Sequence, residues 1–187
     1  LNNLANQEWH SDSSFKKIPS KMSILSAKMI PSLGGNTEFL SMRASYNALP
    51  QELKLKIDDK ICWHDYSHGR SKIDPNLVTP EEKQALPPVK QKLVLSDNKH
   101  GKSLYLGAHC RNVDGMSEND SNALLAEINS YIDTEKFIYS HVWEPFDLIM
   151  WDNRAVLHRA TPIKGKIEKR LMVRTTVAGQ TSTINEY

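Results

Sequence analysis

A histidine and an aspartate lie two residues apart near the start of the chain, in the stretch Trp9-His-Ser-Asp-Ser-Ser-Phe15. Alternate side chains of an extended strand project to the same face, so we predict that the imidazole of His10 and the carboxylate of Asp12 lie side by side. Such a pair is half of a metal site or half of an acid–base pair. A lone His-x-Asp sequence is more often a hydrogen-bonded pair at the end of a strand.

A third metal ligand is available near the other end of the chain. His158 lies on a short apolar stretch that follows the sequence Trp151-Asp-Asn-Arg154. Two histidines and one carboxylate on one face of a metal ion, with the remaining positions open, form the facial triad of non-haem iron(II) sites. The sequence therefore predicts a metal centre made by His10, Asp12 and His158.

Two arginines on the last predicted strand supply positive charge for anionic ligands. A 2-oxo acid that chelates the metal needs a cation for its distal carboxylate, and the planar guanidinium of arginine pairs best with that group. Arg170 and Arg174 are four residues apart and so lie on one face of the strand. Burying both is costly unless each meets an anion, which we expect to be the co-substrate and an acidic substrate. Arg174 could instead close an ion pair with a buried acidic residue.

These residues resemble the family of taurine dioxygenase and 2,4-dichlorophenoxyacetate dioxygenase, the iron(II)- and 2-oxoglutarate-dependent oxygenases. The family pattern is His-x-Asp, a threonine some two dozen residues later, and a distant histidine followed by an arginine about a dozen residues on. In this sequence it is met by His10 and Asp12, Thr37, His158, and Arg170. The resemblance extends from Asn6 to Gly179. It is closest to the dichlorophenoxyacetate branch through the motifs Trp9-His-Ser-Asp-Ser-Ser-Phe15, Gly34-Gly-Asn-Thr-Glu-Phe39, Ser103-Leu-Tyr-Leu-Gly-Ala-His109 and Trp151-Asp-Asn-Arg154.

The resemblance implies a role for each matching residue and no catalytic residue beyond the metal ligands. His10, Asp12 and His158 would ligate Fe(II), Thr37 and Arg170 would hold the distal carboxylate of 2-oxoglutarate, Arg174 would meet the acidic group of the substrate, and Asn6 and Ser13 would line the substrate side. The implied activity is a dioxygenase that uses O2 and 2-oxoglutarate to hydroxylate a small anionic organic substrate. Succinate and CO2 would be released, and hydroxylation next to a heteroatom would cleave the substrate there.

The predicted elements favour a mainly β protein with helical inserts. Eight or nine short strands suggest a jelly roll, and a mixed α+β sheet is the alternative. The resemblance implies the double-stranded β-helix form of the jelly roll. We expect helical pieces over 41–57, a polar loop over 67–88 with one helical turn at 79–82, and an amphipathic helix over 117–133. Residues 1–187 fit a single catalytic domain.

Bulk properties exclude several classes of partner. The net charge of +2 with interspersed signs gives no reason to expect nucleic acid or an anionic membrane surface. The apolar runs are too short to cross a bilayer. Two cysteines in a chain of 187 residues are more often reduced and buried than paired, which favours the cytoplasm.

The chain has nine residues before His10, whereas the resembling family carries a substantial region there. We therefore expect either an N-terminally incomplete piece that lacks N-terminal strands, or a homo-oligomer in which another chain completes the substrate wall. Two other function classes compete with the oxygenase. One is a zinc hydrolase that uses the same three ligands, and the other is a non-catalytic scaffold of the same fold.

The remaining histidines need a separate interpretation. No second ligand lies at metal spacing from His64, His68, His109 or His141, so we interpret them as surface or core residues. His68 and Arg70 open the long polar loop, from which they could reach a substrate.

Overall fold

The computed structural model describes residues 2–132, 135–164 and 169–185, which contain eleven strands and six α-helices. The strands are β1 (Ser20–Met29), β2 (Thr37–Ser41), β3 (Ile61–His64), β4 (Val89–Lys92), β5 (Val94–Asp97), β6 (Gly101–Leu104), β7 (Cys110–Val113), β8 (Ile138–His141), β9 (Leu148–Asp152), β10 (Val156–Ala160) and β11 (Leu171–Ala178). The helices are α1 (Asn2–Ala5), α2 (Met42–Ala48), α3 (Gln51–Ile57), α4 (Tyr66–Ser71), α5 (Pro80–Ala85) and α6 (Glu118–Ser130).

Two three-stranded antiparallel sheets form the part of the molecule that carries the predicted ligands. One has the strand order β11-β1-β9 and the other β10-β2-β8. Their inner faces meet where Trp151 of β9 packs edge-on against Phe39 of β2, with ring centroids 5.3 Å apart. Strands distant in sequence are neighbours in both sheets, as in a jelly roll. The predicted mainly β fold is confirmed, and the mixed α+β alternative is not needed.

A second group of elements packs beside these sheets. It consists of the sheet β4-β3-β7, the hairpin β5-β6 and the helices α2, α3 and α6. Side chains such as Leu53, Ile57, Leu104, Leu124 and Ile128, each at most 3% exposed, form its core. Each fully buried side chain of this kind contributes roughly 1.5–3 kcal/mol to stability. This core explains why residues 42–57 fold as the helical insert that the sequence predicts.

Helices with capping signals occur where the sequence predicts them. Ser117 caps α6 by accepting the backbone N–H of Asp120 at 3.2 Å. Thr79 and Glu82 form a capping box at the start of α5, where Pro80 occupies the first turn. These side chains satisfy backbone N–H groups that a helix start leaves unpaired.

The prediction that residues 67–88 form a polar loop with a single helical turn at 79–82 is wrong at the start of this segment, where the structure has a second helix. Asp65 accepts the backbone N–H of Ser67 at 2.8 Å and starts helix α4. Gly69 concealed this helix in the sequence because glycine disfavours helix interiors. Its presence has a packing reason, since a Cβ there would lie 2.7 Å from the carbonyl oxygen of Ala108. The short strands β4 and β7 were also missed.

Cys62 of β3 and Cys110 of β7 are both buried and free, as expected. None of the helices in the described ranges has the length and apolarity that a membrane span requires.

His64 should make the stability of the fold depend on pH. It is 1% exposed, and burial lowers its pKa from 6.5 to about 4. Between these values the unfolded chain binds a proton that the folded chain does not. The contribution of His64 to stability is therefore fully present above about pH 6.5 and is lost as the pH falls toward 4.

We expect this one histidine to lower the free energy of unfolding by about 2 kcal/mol between pH 7 and pH 5. Denaturant unfolding at both pH values measures how much stability is lost between pH 7 and pH 5. In His64→Gln this loss should be about 2 kcal/mol smaller than in the wild type. His100, whose side chain is 52% exposed, provides the control. His100→Gln should behave as the wild type, and equal losses in all three proteins would contradict the prediction.

Candidate metal centre

The two predicted histidine ligands are joined by a pair of backbone hydrogen bonds. The N–H of His10 donates to the carbonyl of His158 at 3.1 Å, and the N–H of His158 donates to the carbonyl of His10 at 2.9 Å. This pairing covers the edge of β10 that does not face β2. A further hydrogen bond, from the N–H of Ala160 to the carbonyl of Asn6, lies on the same edge. Side chains of directly paired residues project to the same face, and the two imidazole centroids lie 4.2 Å apart.

Asp12 completes the cluster. One ligand atom from each of His10, Asp12 and His158 lies within 4.8 Å of the others. Nε2 of His158 is 3.7 Å from Oδ2 of Asp12, and both side chains are nearly fully buried. In the part of the chain that the structure describes, these residues make the one group of three or more potential ligands this close together. Two imidazoles and a carboxylate suit divalent first-row transition metals.

Both imidazoles are held in a form that can bind a metal. Nδ1 of His10 lies 2.7 Å from the carbonyl oxygen of Glu8, so it carries the proton and leaves the Nε2 lone pair available. Burial lowers the pKa of His10, and it lowers the pKa of His158 well below its usual value. A neutral imidazole is the form that coordinates a metal.

Arg174 contacts the aspartate of this cluster directly. Its Nη1 donates to Oδ1 of Asp12 at 2.7 Å, while the arginine side chain stays half exposed. The structure thus contains the ion pair that the sequence allowed as an alternative to substrate binding. The guanidinium places positive charge beside the carboxylate, within reach of the same cavity that the histidines line.

Thr37 and Arg170 lie together, as predicted. Nη2 of Arg170 and the indole N–H of Trp143 both donate to Oγ1 of Thr37, each at 3.1 Å. A hydroxyl has two lone pairs and one proton. Because both lone pairs are occupied, the proton of the buried Thr37 hydroxyl is left to be donated. Burial also lowers the pKa of Arg170, and a bound anion would offset the cost of that burial.

The Gly34-Gly35 turn positions Arg170. Both glycines have positive φ, at 78° and 69°, in the region that glycine adopts without steric cost. A Cβ on Gly34 would lie 2.4 Å from the carbonyl oxygen of Pro162. The turn presents the carbonyl of Gly35 to Nε of Arg170 at 2.9 Å. Two consecutive residues with positive φ make the backbone bend sharply here.

Two cavities adjoin the cluster. One of about 300 Å³ extends from His10 and His158 to Thr37 and Arg170. The other, of about 110 Å³, lies beside Asp12 and is lined by side chains that include Ser13, Phe15, Tyr66, Arg70 and His109. Asn6, His10 and Arg174 line both cavities.

The smaller cavity has an aromatic wall. Phe15 packs against Tyr66 and against His109, with ring centroids 4.8 Å apart in each case. Arg70 lies over the ring of Tyr66 at 4.6 Å. Burial lowers the pKa of His109 to about 3. The sequence pointed to Arg70 as a loop residue and left Phe15 and Tyr66 without a role, because their contact depends on the unpredicted helix α4.

His68 and the other histidines do not join the metal cluster. His68 lines a separate groove with residues of α6 and lies in neither of the two cavities. His64 is in the core, stacked on Tyr105, and Nε2 of His141 lies 2.9 Å from Asp147. His109 is the exception to the predicted surface or core role, since it lines the smaller cavity.

Fold and cluster together define a jelly-roll protein with a candidate two-histidine, one-carboxylate metal centre. The chain belongs to the taurine catabolism dioxygenase TauD, TfdA family, whose model matches residues 1–176. This match confirms the family resemblance inferred from the motifs.

Individual relatives agree with the family assignment. The chain is 38% identical over 178 residues to an alpha-ketoglutarate-dependent 2,4-dichlorophenoxyacetate dioxygenase of Cupriavidus pinatubonensis, a match that covers 95% of this chain and 62% of that protein. The crystal structure of AAD-2 in complex with Mn(II) and N-oxalylglycine superposes with a TM-score of 0.89 at 43% identity, over 97% of this chain and 72% of that one. The crystal structure of a putative alpha-ketoglutarate dependent 2,4-D dioxygenase from Burkholderia xenovorans superposes with a TM-score of 0.91 at 36% identity. The match covers 96% of this chain and 70% of that one. The chain spans about three fifths of the length of the curated relatives it matches.

Proposed function

We propose that this chain is the catalytic domain of an iron(II)- and 2-oxoglutarate-dependent dioxygenase that hydroxylates a small anionic organic substrate and releases succinate and CO2. The observation that carries the proposal is the single cavity that runs from His10 and His158 to Thr37 and Arg170. It joins two of the three candidate metal ligands to Thr37 and Arg170, which we propose bind a carboxylate. A hydrolase has no need of that pair.

His10, Asp12 and His158 would hold the Fe(II). When bound there, iron(II) supplies open coordination positions and the redox chemistry that activates O2. The protein contributes imidazoles whose pKa burial lowers, one buried carboxylate and an aromatic wall beside His158. Trp151 forms part of that wall, with its ring centroid 4.7 Å from that of His158.

Thr37 and Arg170 would bind the distal carboxylate of 2-oxoglutarate. Arg170 offers guanidinium N–H groups, and Thr37 offers the hydroxyl proton that its other two contacts leave available. Both donors are fixed before the ligand arrives, by the Gly35 carbonyl and by Trp143. Fixed donors lower the entropic cost of binding.

The substrate would occupy the smaller cavity beside Asp12. Its wall of Phe15, Tyr66 and His109 suits a planar apolar group, while Arg70 and Arg174 supply positive charge for the acid. Asn6 and Ser13 line the same cavity. An aryloxyacetate such as 2,4-dichlorophenoxyacetate, the compound in the name of the Cupriavidus relative, is therefore the first substrate to test.

We place the protein in the cytoplasm because both of its cysteines are buried and free. We also propose that it forms a homo-oligomer.

Metal-dependent consumption of 2-oxoglutarate tests the proposed activity. We expect purified protein with Fe(II), O2 and 2,4-dichlorophenoxyacetate to form succinate, and protein loaded with Zn(II) to form none. Hydrolysis of esters or amides with Zn(II), without succinate under Fe(II), would favour the zinc hydrolase. Binding of Fe(II) and 2-oxoglutarate without substrate-dependent turnover would favour the non-catalytic scaffold.

Replacing Arg174 should separate co-substrate turnover from substrate binding. In Arg174→Ala we expect slow, substrate-independent decarboxylation of 2-oxoglutarate to continue, because Thr37 and Arg170 are intact. The KM for an acidic substrate should rise about 10- to 100-fold, as expected for loss of one charge-assisted hydrogen bond of about 1.5–3 kcal/mol.

Lys16, an exposed cation four residues after Asp12, provides the control. Lys16→Ala should leave both rates unchanged. An Arg174→Ala enzyme with an unaltered substrate range would show that Arg174 serves only the ion pair with Asp12.

A further inference from the structure

We propose that Ser23 and Asn153 are positioning residues that fix the carboxylate of Asp12 in the orientation in which it binds the metal. This inference rests on the proposed function, because it concerns the same metal centre. Neither residue lines either of the two cavities, so neither is placed to touch 2-oxoglutarate or substrate. Any contribution of Ser23 to the reaction therefore acts through its hydrogen-bond acceptor Asp12.

Ser23 holds one oxygen of the carboxylate. Its hydroxyl donates to Oδ2 of Asp12 at 2.6 Å, a short, charge-assisted hydrogen bond. Ser23 is 0% exposed and Asp12 is 5% exposed, so bulk water does not compete for this contact. The bond opposes rotation of the carboxylate about its Cβ–Cγ axis.

Asn153 sets the direction of the Ser23 hydroxyl. Its Nδ2 donates to Oγ of Ser23 at 2.8 Å and so occupies a lone pair of that oxygen. The hydroxyl has a single proton, and a carboxylate only accepts. The result is a one-way sequence of hydrogen bonds from Asn153 through Ser23 to Asp12.

The amide of Asn153 is itself fixed by two donors. Its Oδ1 accepts the backbone N–H of Asp12 at 3.2 Å and the indole N–H of Trp151 at 3.0 Å. Both groups can only donate, so the carbonyl oxygen must face them and the NH2 must face Ser23. Asn153, which is 1% exposed, thus contacts the main chain of Asp12 directly and the carboxylate of Asp12 through Ser23.

The same asparagine connects two parts of the metal centre that are far apart in sequence. The backbone carbonyl of Asn153 accepts a hydrogen bond from the hydroxyl of Ser11, the residue before Asp12, at 2.8 Å. Asn153 itself lies in the turn between β9 and β10, and β10 carries His158. The backbone N–H of Asn153 donates to the carbonyl of Lys21 on β1. The carboxylate is therefore oriented by the sheet before a metal binds. Loss of outer partners of this kind typically weakens metal binding 10- to 100-fold.

The test is the anaerobic affinity for Mn(II), measured by the loss of the free-ion EPR signal. We expect Ser23→Ala to weaken Mn(II) binding about 10- to 100-fold, and Ser23→Thr, which keeps the hydroxyl, to bind close to wild type. Ser45→Ala is the matched control. Ser45 is also 0% exposed and its hydroxyl donates a single bond, to the carbonyl of Ser41 at 2.8 Å, away from the metal centre.

The visible band of the Fe(II)–2-oxoglutarate chelate provides a second readout. The band should shift in Ser23→Ala and not in Ser45→Ala, because only the first variant removes a hydrogen bond to a proposed metal ligand. Ser23→Ala with wild-type affinity, or an equal loss in Ser45→Ala, would overturn the positioning role while leaving the metal centre intact. Wild-type protein that binds no Mn(II) would overturn the proposed function and this inference together.

Discussion

Asp12→Ala should bind Fe(II) too weakly to support turnover, while its fold remains intact. The substitution removes the only anionic ligand of the candidate centre, leaving two neutral imidazoles beside the cation of Arg174. A dication placed there would then be repelled by the guanidinium instead of being attracted by a carboxylate. We expect metal-dependent formation of succinate to fall at least about 1,000-fold, which corresponds to about 4 kcal/mol.

An exposed aspartate provides the control for this prediction. Asp59 follows α3 on the surface, and Asp59→Ala should retain wild-type activity and metal affinity. Circular dichroism and thermal unfolding of the metal-free proteins verify that both variants are folded. Normal turnover in Asp12→Ala would exclude Asp12 as a ligand.

Arg170→Ala should raise the KM for 2-oxoglutarate about 30-fold or more. Truncating a partly buried cation that pairs with a carboxylate costs about 2–5 kcal/mol, and each 1.4 kcal/mol is a factor of ten in affinity. The variant also removes one of the donors that orient the hydroxyl of Thr37. Steady-state assays over a range of 2-oxoglutarate concentrations measure the effect.

The neighbouring Lys169 is the matched control because it is an exposed cation one residue away. Lys169→Ala should change the KM for 2-oxoglutarate by less than about threefold, as expected for a surface charge. The two variants should bind Mn(II) alone equally well, since neither residue belongs to the metal cluster. An unchanged KM in Arg170→Ala would place the co-substrate carboxylate elsewhere.

Local signals were sufficient for much of the architecture. Capping side chains at Thr79 and Ser117 predicted the starts of α5 and α6. These signals work because a cap is a property of a few adjacent residues.

The missed elements depend on contacts between distant residues. Strand β4 has the sequence Val89-Lys-Gln-Lys92, which gives no apolar signal, yet Gln91 is 0% exposed. Its amide donates to the carbonyls of Ser14 and Lys16. A buried glutamine is stable only because these partners exist, and the sequence of the strand does not contain them.

The candidate site divides in the same way. Residue types and spacing predicted His10, Asp12 and His158 as ligands, because the chemistry of a facial triad restricts which residues can serve, and the structure brings the three together. The contacts that give these residues their geometry were not predictable. Asn153 was visible only as part of a motif. Its role depends on Ser23, which the pairing of β1 with β9 brings close, and on Asp12, whose backbone N–H donates to its side chain.

The most direct test of the proposed centre is an anaerobic titration of the metal-free protein with Fe(II) and 2-oxoglutarate, followed by visible absorption. The proposed function predicts a weak charge-transfer band that saturates with one equivalent of Fe(II) in the wild type and is absent in His158→Ala. That result would show that the three ligands and the co-substrate cavity act together in one site. A folded wild-type protein that gives no band, or a His158→Ala variant that gives the same band, would contradict the assignment of this cluster as the iron site.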